Sequence, residues 1–151
     1  MIRTPLTSGT ILIKTVFSTK NQLPLITPTI EPLLYDKISK ILFDECYSPA
    51  LGIGGDVEHV HLLFVQARDR SIDLIINRVK HESAKFIRKW SPEFEWQESY
   101  AAVTVSRSQD EVEKDYIVRQ KEIHKSLSYK DEFRKLLDDS GIEYHENDLW
   151  E

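Results

Sequence analysis

An α+β fold, a ferredoxin-like sandwich with an antiparallel sheet (β-α-β-β-α-β) plus C-terminal helices, is what the order of elements along this chain predicts. Three observations carry it. Four short runs rich in β-branched and apolar residues alternate with two helix-period segments in that order. The second and third runs are joined by a tight, glycine-bearing turn. Two more helical segments follow the fourth run.

Residues 10–17 read as the first strand, with Ile11, Ile13 and Thr15 on one side and Leu12, Lys14 and Val16 on the other. Pro24 and Pro28 make residues 18–28 a loop. From 31 to 43, Leu34, Ile38, Ile41 and Leu42 recur at helical spacing, and Pro32 suits the first turn. Residues 48–55 form a second strand loosened by Gly52, Gly54 and Gly55; the last two serve backbone geometry, since no helix start follows them. Residues 58–66 form the third strand. Residues 70–90 form a helix that Ser71 can cap, with Ile75, Val79, Phe86 and Trp90 on one side. After a loop with Pro92, Phe94 and Trp96, residues 100–106 make the fourth strand. Ser108 and Glu111 have the spacing of a capping box for a helix over 109–126. A last helix over 130–139 stops at Ser140-Gly141, and the tail to 151 shows no clear period.

The 151 residues are expected to form one domain, 1–151, with 109–126 and 130–151 as its C-terminal additions. A hydrophobic content of 40% and a charged content of 30% fit an ordinary globular protein. No apolar run approaches bilayer-crossing length, and Met1 to Thr10 lacks the order of a signal peptide. The one cysteine, Cys46, excludes an internal disulfide and fits a reducing compartment, so a cytoplasmic location is expected. A net charge of -5 argues against wholesale electrostatic binding of nucleic acid. A local basic face exists, however. Arg78, His81, Lys85, Arg88 and Lys89 share one side of the 70–90 helix. It reads either as a solvated helix surface or as a track for phosphates.

The third strand carries the chemistry. His59 and His61 lie two residues apart in Glu58-His59-Val60-His61-Leu62-Leu63 and so point to one face of the sheet, while Val60 points to the other. Two imidazoles on one face can converge on a metal ion, or they can be hydrogen-bonded strand histidines. Tyr116 and Gln120 are spaced one helical turn apart. A Gln carbonyl oxygen can complete a His, His, oxygen site for Mg²⁺ or Mn²⁺, and a phenol held beside the ion could attack a phosphodiester. By itself the spacing is weak evidence, since a Tyr and a Gln one turn apart on a charged helix are most often surface residues. His81 and His124 read as solvated helix histidines, Trp90, Trp96 and Trp150 as core or dimer-packing anchors, and Cys46 as buried and inert.

Taken together, the motifs Val16-Phe17-Ser18-Thr19-Lys20, Glu58-His59-Val60-His61-Leu62-Leu63, Trp96-Gln97-Glu98-Ser99-Tyr100-Ala101-Ala102, Tyr116-Ile117-Val118-Arg119-Gln120, Asp131-Glu132-Phe133-Arg134-Lys135-Leu136-Leu137 and Gly141-Ile142-Glu143-Tyr144 occur in an order that is specific. In them the chain resembles the single-tyrosine HUH transposases of the insertion sequence 200 type, including the repeat-associated tyrosine transposases. The resemblance implies that His59, His61 and Gln120 hold the metal, Mg²⁺ or Mn²⁺, and that Tyr116 cuts single-stranded DNA to leave a 5′-phosphotyrosine and a free 3′-hydroxyl. It implies imperfect DNA hairpins as partners and a homodimer, in many members with the tyrosine helix of one subunit completing the other's pocket. Arg78, Lys85, Arg88 and Lys89 are the residues expected on the DNA backbone. The family often carries histidine where Lys14 stands. Two other functions compete: a hairpin-binding relative that does not cut, and a metal-dependent phosphodiesterase that uses water in place of Tyr116.

Overall fold

The computed structural model describes residues 9–151. The signal-peptide reading of the N-terminal stretch therefore falls mostly outside the described residues. Four strands, β1 (Leu12–Ser18), β2 (Ala50–Gly55), β3 (His59–Val65) and β4 (Ala101–Val105), form one antiparallel sheet in the order β2-β3-β1-β4. This is the ferredoxin-like order expected above. Alternation along the strands gives the sheet two faces of different purpose.

The first face is the main core. Ile13 and Phe17 from β1 and Val60, Leu62 and Phe64 from β3 point into it. Helices α1 (Ile30–Lys40) and α2 (Ile72–Ile87) cover it. Ile30, Leu34 and Ile38 recur at i, i+4, i+8, so α1 buries one stripe, and Ile41 and Leu42 extend that stripe into a π-helical turn, Ile41–Glu45. Helix α2 starts where Ser71 Oγ accepts the Leu74 N–H at 3.1 Å, as its spacing predicts. Ile75, Ile76, Val79, Ala84 and Ile87 seal it onto α1 and the sheet. Burying side chains of this size contributes about 1.5–3 kcal/mol each, so this face holds the fold together. Trp96 joins the core edge-on to Phe17 and Phe94, whereas Trp90 is 49% exposed and only edges against Phe86. Cys46 is buried.

The second face carries Leu12, Lys14, Val16 and Ser18 from β1 with His59, His61 and Leu63 from β3. Val16 lies opposite His61, and Ser18 opposite His59. The C-terminal part of the chain folds back over it. Here the structure departs from the sequence reading: the single helix expected over 109–126 is two, α3 (Asp110–Val118) and α4 (Gln120–Ile123), with Arg119 between them at φ -95, ψ 14. The break lets Ile117 and Gln120 both turn inward while Arg119 and Lys121 stay outside. Ser108 is not the cap. It sits in a 3₁₀ turn, Arg107–Gln109, with its hydroxyl on Ser106, and the Asp110 carboxylate takes the Glu111 N–H at 2.7 Å. Three acids in the first turn of α3 suit its positive end.

Helix α5 (Tyr129–Asp139) is capped by Ser128, whose Oγ accepts the Asp131 N–H, and ends at Gly141 with φ 68. Its buried residues Tyr129, Phe133 and Leu137 pack with Leu149 of the tail onto Val16 and Ala101. Ile117 of α3 makes a separate cluster with Leu12 and Leu63. The floor between these two apolar clusters is where His59 and His61 lie. Among the described residues no helix is long and apolar enough to cross a membrane.

Candidate active site

Both histidines are buried, His59 at 0% and His61 at 1% exposure, and their rings stand edge to face with centroids 5.1 Å apart. Helix α4 delivers Gln120, whose Oε1 lies 2.9 Å from His59 Nε2. Helix α3 delivers Tyr116, with its ring 5.9 Å from that of His61. The four residues singled out for metal and nucleophile thus meet in one chain.

Two residues that the sequence reading did not assign meet them there. Glu132 of α5 is 5% exposed. Its Oε1 lies 3.0 Å from His61 Nε2, 3.1 Å from His124 Nε2 and 3.6 Å from His59 Nε2. Its Oε2 accepts from the Tyr116 hydroxyl and, at 3.0 Å, from Gln120 Nε2. His124, read above as a solvated helix residue, instead places Nε2 2.9 Å from Gln120 Oε1 and edges against His59. A signal for each was present. Glu132 stands three residues after Tyr129 and four before Leu136, a charge on the apolar stripe of its helix. His124 follows Gln120 by one turn, as Gln120 follows Tyr116. His81, by contrast, is exposed.

The outward ring nitrogens of His59 and His124 are held, whereas His61 Nδ1 is buried without a hydrogen-bond partner. His59 Nδ1–H donates to Glu58 Oε1 at 2.5 Å, and His124 Nδ1–H donates to the Leu127 carbonyl at 2.6 Å. Tyr129 stacks on the His59 ring at 4.4 Å. Such anchoring fixes tautomer and ring orientation, as metal-ligating histidines require. With Nδ1 donating, the Nε2 lone pair of a neutral His59 faces Gln120 Oε1, itself an acceptor because the amide nitrogen is committed to Glu132. Acceptor facing acceptor calls for a proton or a cation between them, and the donor set of imidazole nitrogens with amide and carboxylate oxygens fits a divalent ion.

Charge states follow from the packing. Burial pulls His61 down to about 4, against the opposing pull of Glu132. Burial would raise Glu132, but bonds from His124 and His61 hold its carboxylate well below the usual range. For His124, burial lowers and Glu132 raises, and Glu132 wins, so this imidazole is held above its ordinary value. Burial, then the Glu132 carboxylate, push the Tyr116 phenol up. A cavity of about 310 Å³ opens beside Tyr116, lined also by Lys14, His61 and Glu132. The Lys14 ammonium pairs with Glu113 at 2.9 Å and lies 4.7 Å from the Tyr116 ring centroid.

The basic residues predicted on the DNA backbone are elsewhere. Arg78 and Lys85 belong to α2, and Arg88 and Lys89 follow directly on its C-terminal end, across the sheet from the histidines. Arg78 is held by Glu45 and Glu82, and Arg88 Nε donates to the Phe94 carbonyl at 2.9 Å. Lys85 is exposed, and Lys89 lies over the Phe86 ring.

The sequence of the family described as "Transposase IS200 like" matches residues 7–120. No curated protein matches the chain. Among solved structures, a candidate transposase from Deinococcus radiodurans R1 superposes with a TM-score of 0.63 at 18% identity, covering 78% of this chain and 95% of that one. A REP-associated tyrosine transposase bound to a REP hairpin superposes with a TM-score of 0.55 at 15% identity, covering 78% of this chain and 70% of that one. At such identities these two likenesses establish a shared fold.

Proposed function

The chain belongs to the IS200-like transposase family, and on that premise we propose that it nicks and rejoins single-stranded DNA at hairpin-marked sites through Tyr116. One observation carries the reading. The Tyr116 hydroxyl, the Gln120 amide and the His59 and His61 imidazoles meet through a single carboxylate in one buried cluster. An isolated Tyr and Gln on a solvated helix would not.

The residues that would hold the expected Mg²⁺ or Mn²⁺ are His59 and His61 through Nε2 and Gln120 through Oε1. A divalent ion bound there supplies Lewis acidity toward a phosphoryl oxygen. The chain's own side chains do the rest. Glu132 accepts the phenol's hydrogen bond and so fixes where the Tyr116 oxygen points. Lys14, on the same cavity, places a positive charge near an incoming phosphate. The Tyr116 oxygen attacks phosphorus, the bond from phosphorus to the 3′-oxygen breaks, and the proton lost by the phenol is balanced by the one the 3′-oxygen takes up. The products are a 5′-phosphotyrosine and a 3′-hydroxyl, and attack of that hydroxyl on the phosphotyrosine reseals the strand. Phosphodiester bonds are exchanged one for one, so no ATP is required.

A hairpin is the expected partner, and the hairpin bound to the similar solved transposase supports it. Arg78, Lys85, Arg88 and Lys89 would grip its backbone from the far side of the sheet. Since one chain furnishes Tyr116 and the histidines together, the homodimer implied by the resemblance would align two sites and would not be needed to complete either. The test is Tyr116→Phe with a labelled single-stranded hairpin from DNA flanking the gene. The covalent protein–DNA adduct is lost while hairpin binding persists; an adduct formed at the normal rate removes Tyr116 from the role.

A further inference from the structure

We infer that the ion centre of this chain is built from five side chains, with His124 and Glu132 joining His59, His61 and Gln120, and that this set takes a borderline ion of the Zn²⁺ or Co²⁺ class in preference to Mg²⁺. The inference rests on the reading above that His59 and His61 hold a divalent ion.

The first ground is geometry. Donors at right angles on an ion with bonds of about 2.1 Å lie about 3.0 Å apart. Four donor pairs have that spacing: His59 Nε2 with Gln120 Oε1 at 2.9 Å, His124 Nε2 with Gln120 Oε1 at 2.9 Å, His61 Nε2 with Glu132 Oε1 at 3.0 Å, and His124 Nε2 with Glu132 Oε1 at 3.1 Å. His59 Nε2 with Glu132 Oε1, at 3.6 Å, closes the ring. One atom each of His59, His61, His124 and Glu132 falls within 4.8 Å of all the others. One donor atom each of His59, His61, His124 and Glu132 thus gathers in one place, three of them nitrogen, with Gln120 Oε1 against two of those nitrogens.

The second ground is bonding capacity. The Leu127 carbonyl can only accept, so His124 Nδ1 donates to it. The Nε2 of a neutral His124 is then a lone pair aimed at two oxygens, Gln120 Oε1 and Glu132 Oε1. His59 repeats the pattern, with Nδ1 on the Glu58 carboxylate and Nε2 on the same two oxygens. His124 is built as His59 is: side chain 5% exposed, outer nitrogen anchored, inner nitrogen presented. Glu132 brings a full negative charge where an amide alone would bring none. Three imidazoles suit borderline ions, whereas Mg²⁺ favours oxygen and water.

The experiment uses the full chain, stripped with chelator, and Co²⁺ as the probe. Visible absorption reports coordination, and the paramagnetically shifted N–H proton resonances count bound imidazoles. Three such resonances are expected in the wild type and two in His124→Ala. Glu132→Gln and His124→Ala each weaken Co²⁺ binding at least about 10-fold, and a hundredfold excess of Mg²⁺ does not displace Co²⁺ from the wild type. Circular dichroism of each variant in chelator verifies the fold, and Glu132→Asp, which keeps the charge, recovers part of the affinity. Co²⁺ binding within twofold of wild type in both variants, lost only in His59→Ala, overturns the five-side-chain centre and leaves the three-ligand reading standing. Displacement by Mg²⁺ overturns the preference. Binding indifferent to His59→Ala and His61→Ala overturns the parent reading itself.

Discussion

Replacing Gly54 with alanine should slow cleavage without unfolding the protein. Gly54 lies on β2, directly under α3. A Cβ added there would sit 2.2 Å from the Ile117 carbonyl oxygen and 2.9 Å from its carbonyl carbon. Carbon–oxygen contacts settle at about 3.3 Å or more, so α3 has to retreat by roughly 1 Å. The obstacle is backbone, which cannot rotate away as a side chain could. Tyr116 is the residue before Ile117, so the phenol moves with it. A misplacement of that size can cost about 100-fold in rate, or roughly 2.7 kcal/mol of barrier. The stability cost is smaller, since only the small cluster of Ile117 with Leu12 and Leu63 is loosened, about 1–2 kcal/mol. The assay is single-turnover formation of the tyrosine–DNA adduct on a labelled hairpin, with thermal melting alongside. Gly52→Ala is the internal control: its Cβ would meet the Ile117 and Lys114 side chains at 3.8 Å and Leu63 Cβ at 4.0 Å, ordinary contacts, so its rate should match wild type. Wild-type cleavage by Gly54→Ala, or an equal loss in both variants, refutes the docking argument.

Lys80 is buried in α2, and its ammonium donates to the carbonyls of Gln97, Glu98 and Ser99 at 2.8, 2.9 and 3.0 Å. Burial pulls it down to about 8, which leaves it charged at neutral pH with one hydrogen for each carbonyl. Lys80→Met should destabilise the fold by about 3 kcal/mol in urea unfolding, and a loss under 1 kcal/mol would show these bonds to be dispensable. In chelator, His61 at about 4 rejects a proton that the unfolded chain accepts at 6.5, so its contribution is whole above 6.5 and shrinks as pH falls, by up to about 1.4 kcal/mol per unit. Glu132, held low, adds to the loss below 4.5, while His124, held high, contributes below 6.5 and loses that as pH rises through its folded value. The melting temperature should therefore peak near pH 6.5, and a steady rise to pH 8 would contradict the His124 environment. On the basic face, Lys85→Ala and Lys89→Ala should each flatten the salt dependence of hairpin affinity by about 0.7–0.9 in log–log slope, with Arg78→Ala changing it less because Glu45 and Glu82 already engage that guanidinium. Unchanged slopes in all three would place the DNA elsewhere.

The parts of this structure legible in the sequence are those set by local period. Alternation in β3 put His59 and His61 on one face, and spacing in α1 and α2 marked the stripes that became the core. The break at Arg119 was not legible, because 109–126 contains neither proline nor glycine and nothing local interrupts it. It arises where Ile117 must reach Leu12 and Leu63 while Gln120 must reach His59, a tertiary demand on two neighbouring turns. Glu132 was legible as a charge on an apolar stripe, but its place in the site was not. Its value depends on α5 crossing the second face of the sheet, and that placement is decided by Phe133, Leu137 and Leu149 finding Val16 and Ala101.

The division of labour between the two faces explains why the site can hold so many buried polar groups. Two long helices stabilise the first face with a continuous apolar core, so the second can carry buried polar groups whose desolvation would otherwise be hard to offset. What keeps those groups in register is a polar hub. Gln97 Oε1 accepts from the Ser18 N–H at 2.7 Å and the Ser18 hydroxyl at 2.6 Å, while its amide nitrogen donates to Ser99 Oγ at 2.7 Å and the Leu149 carbonyl at 3.0 Å. The Tyr129 hydroxyl reaches the same oxygen at 3.4 Å, and the Tyr129 ring lies flat on His59. The segment before β4, the start of α5 and the C-terminal tail are thereby tied to the orientation of one imidazole. This accounts for the wide separation in sequence of side chains that act together: the histidines come from the rigid sheet, and the groups that complete them come from short helices whose docking the hub and two small apolar clusters decide.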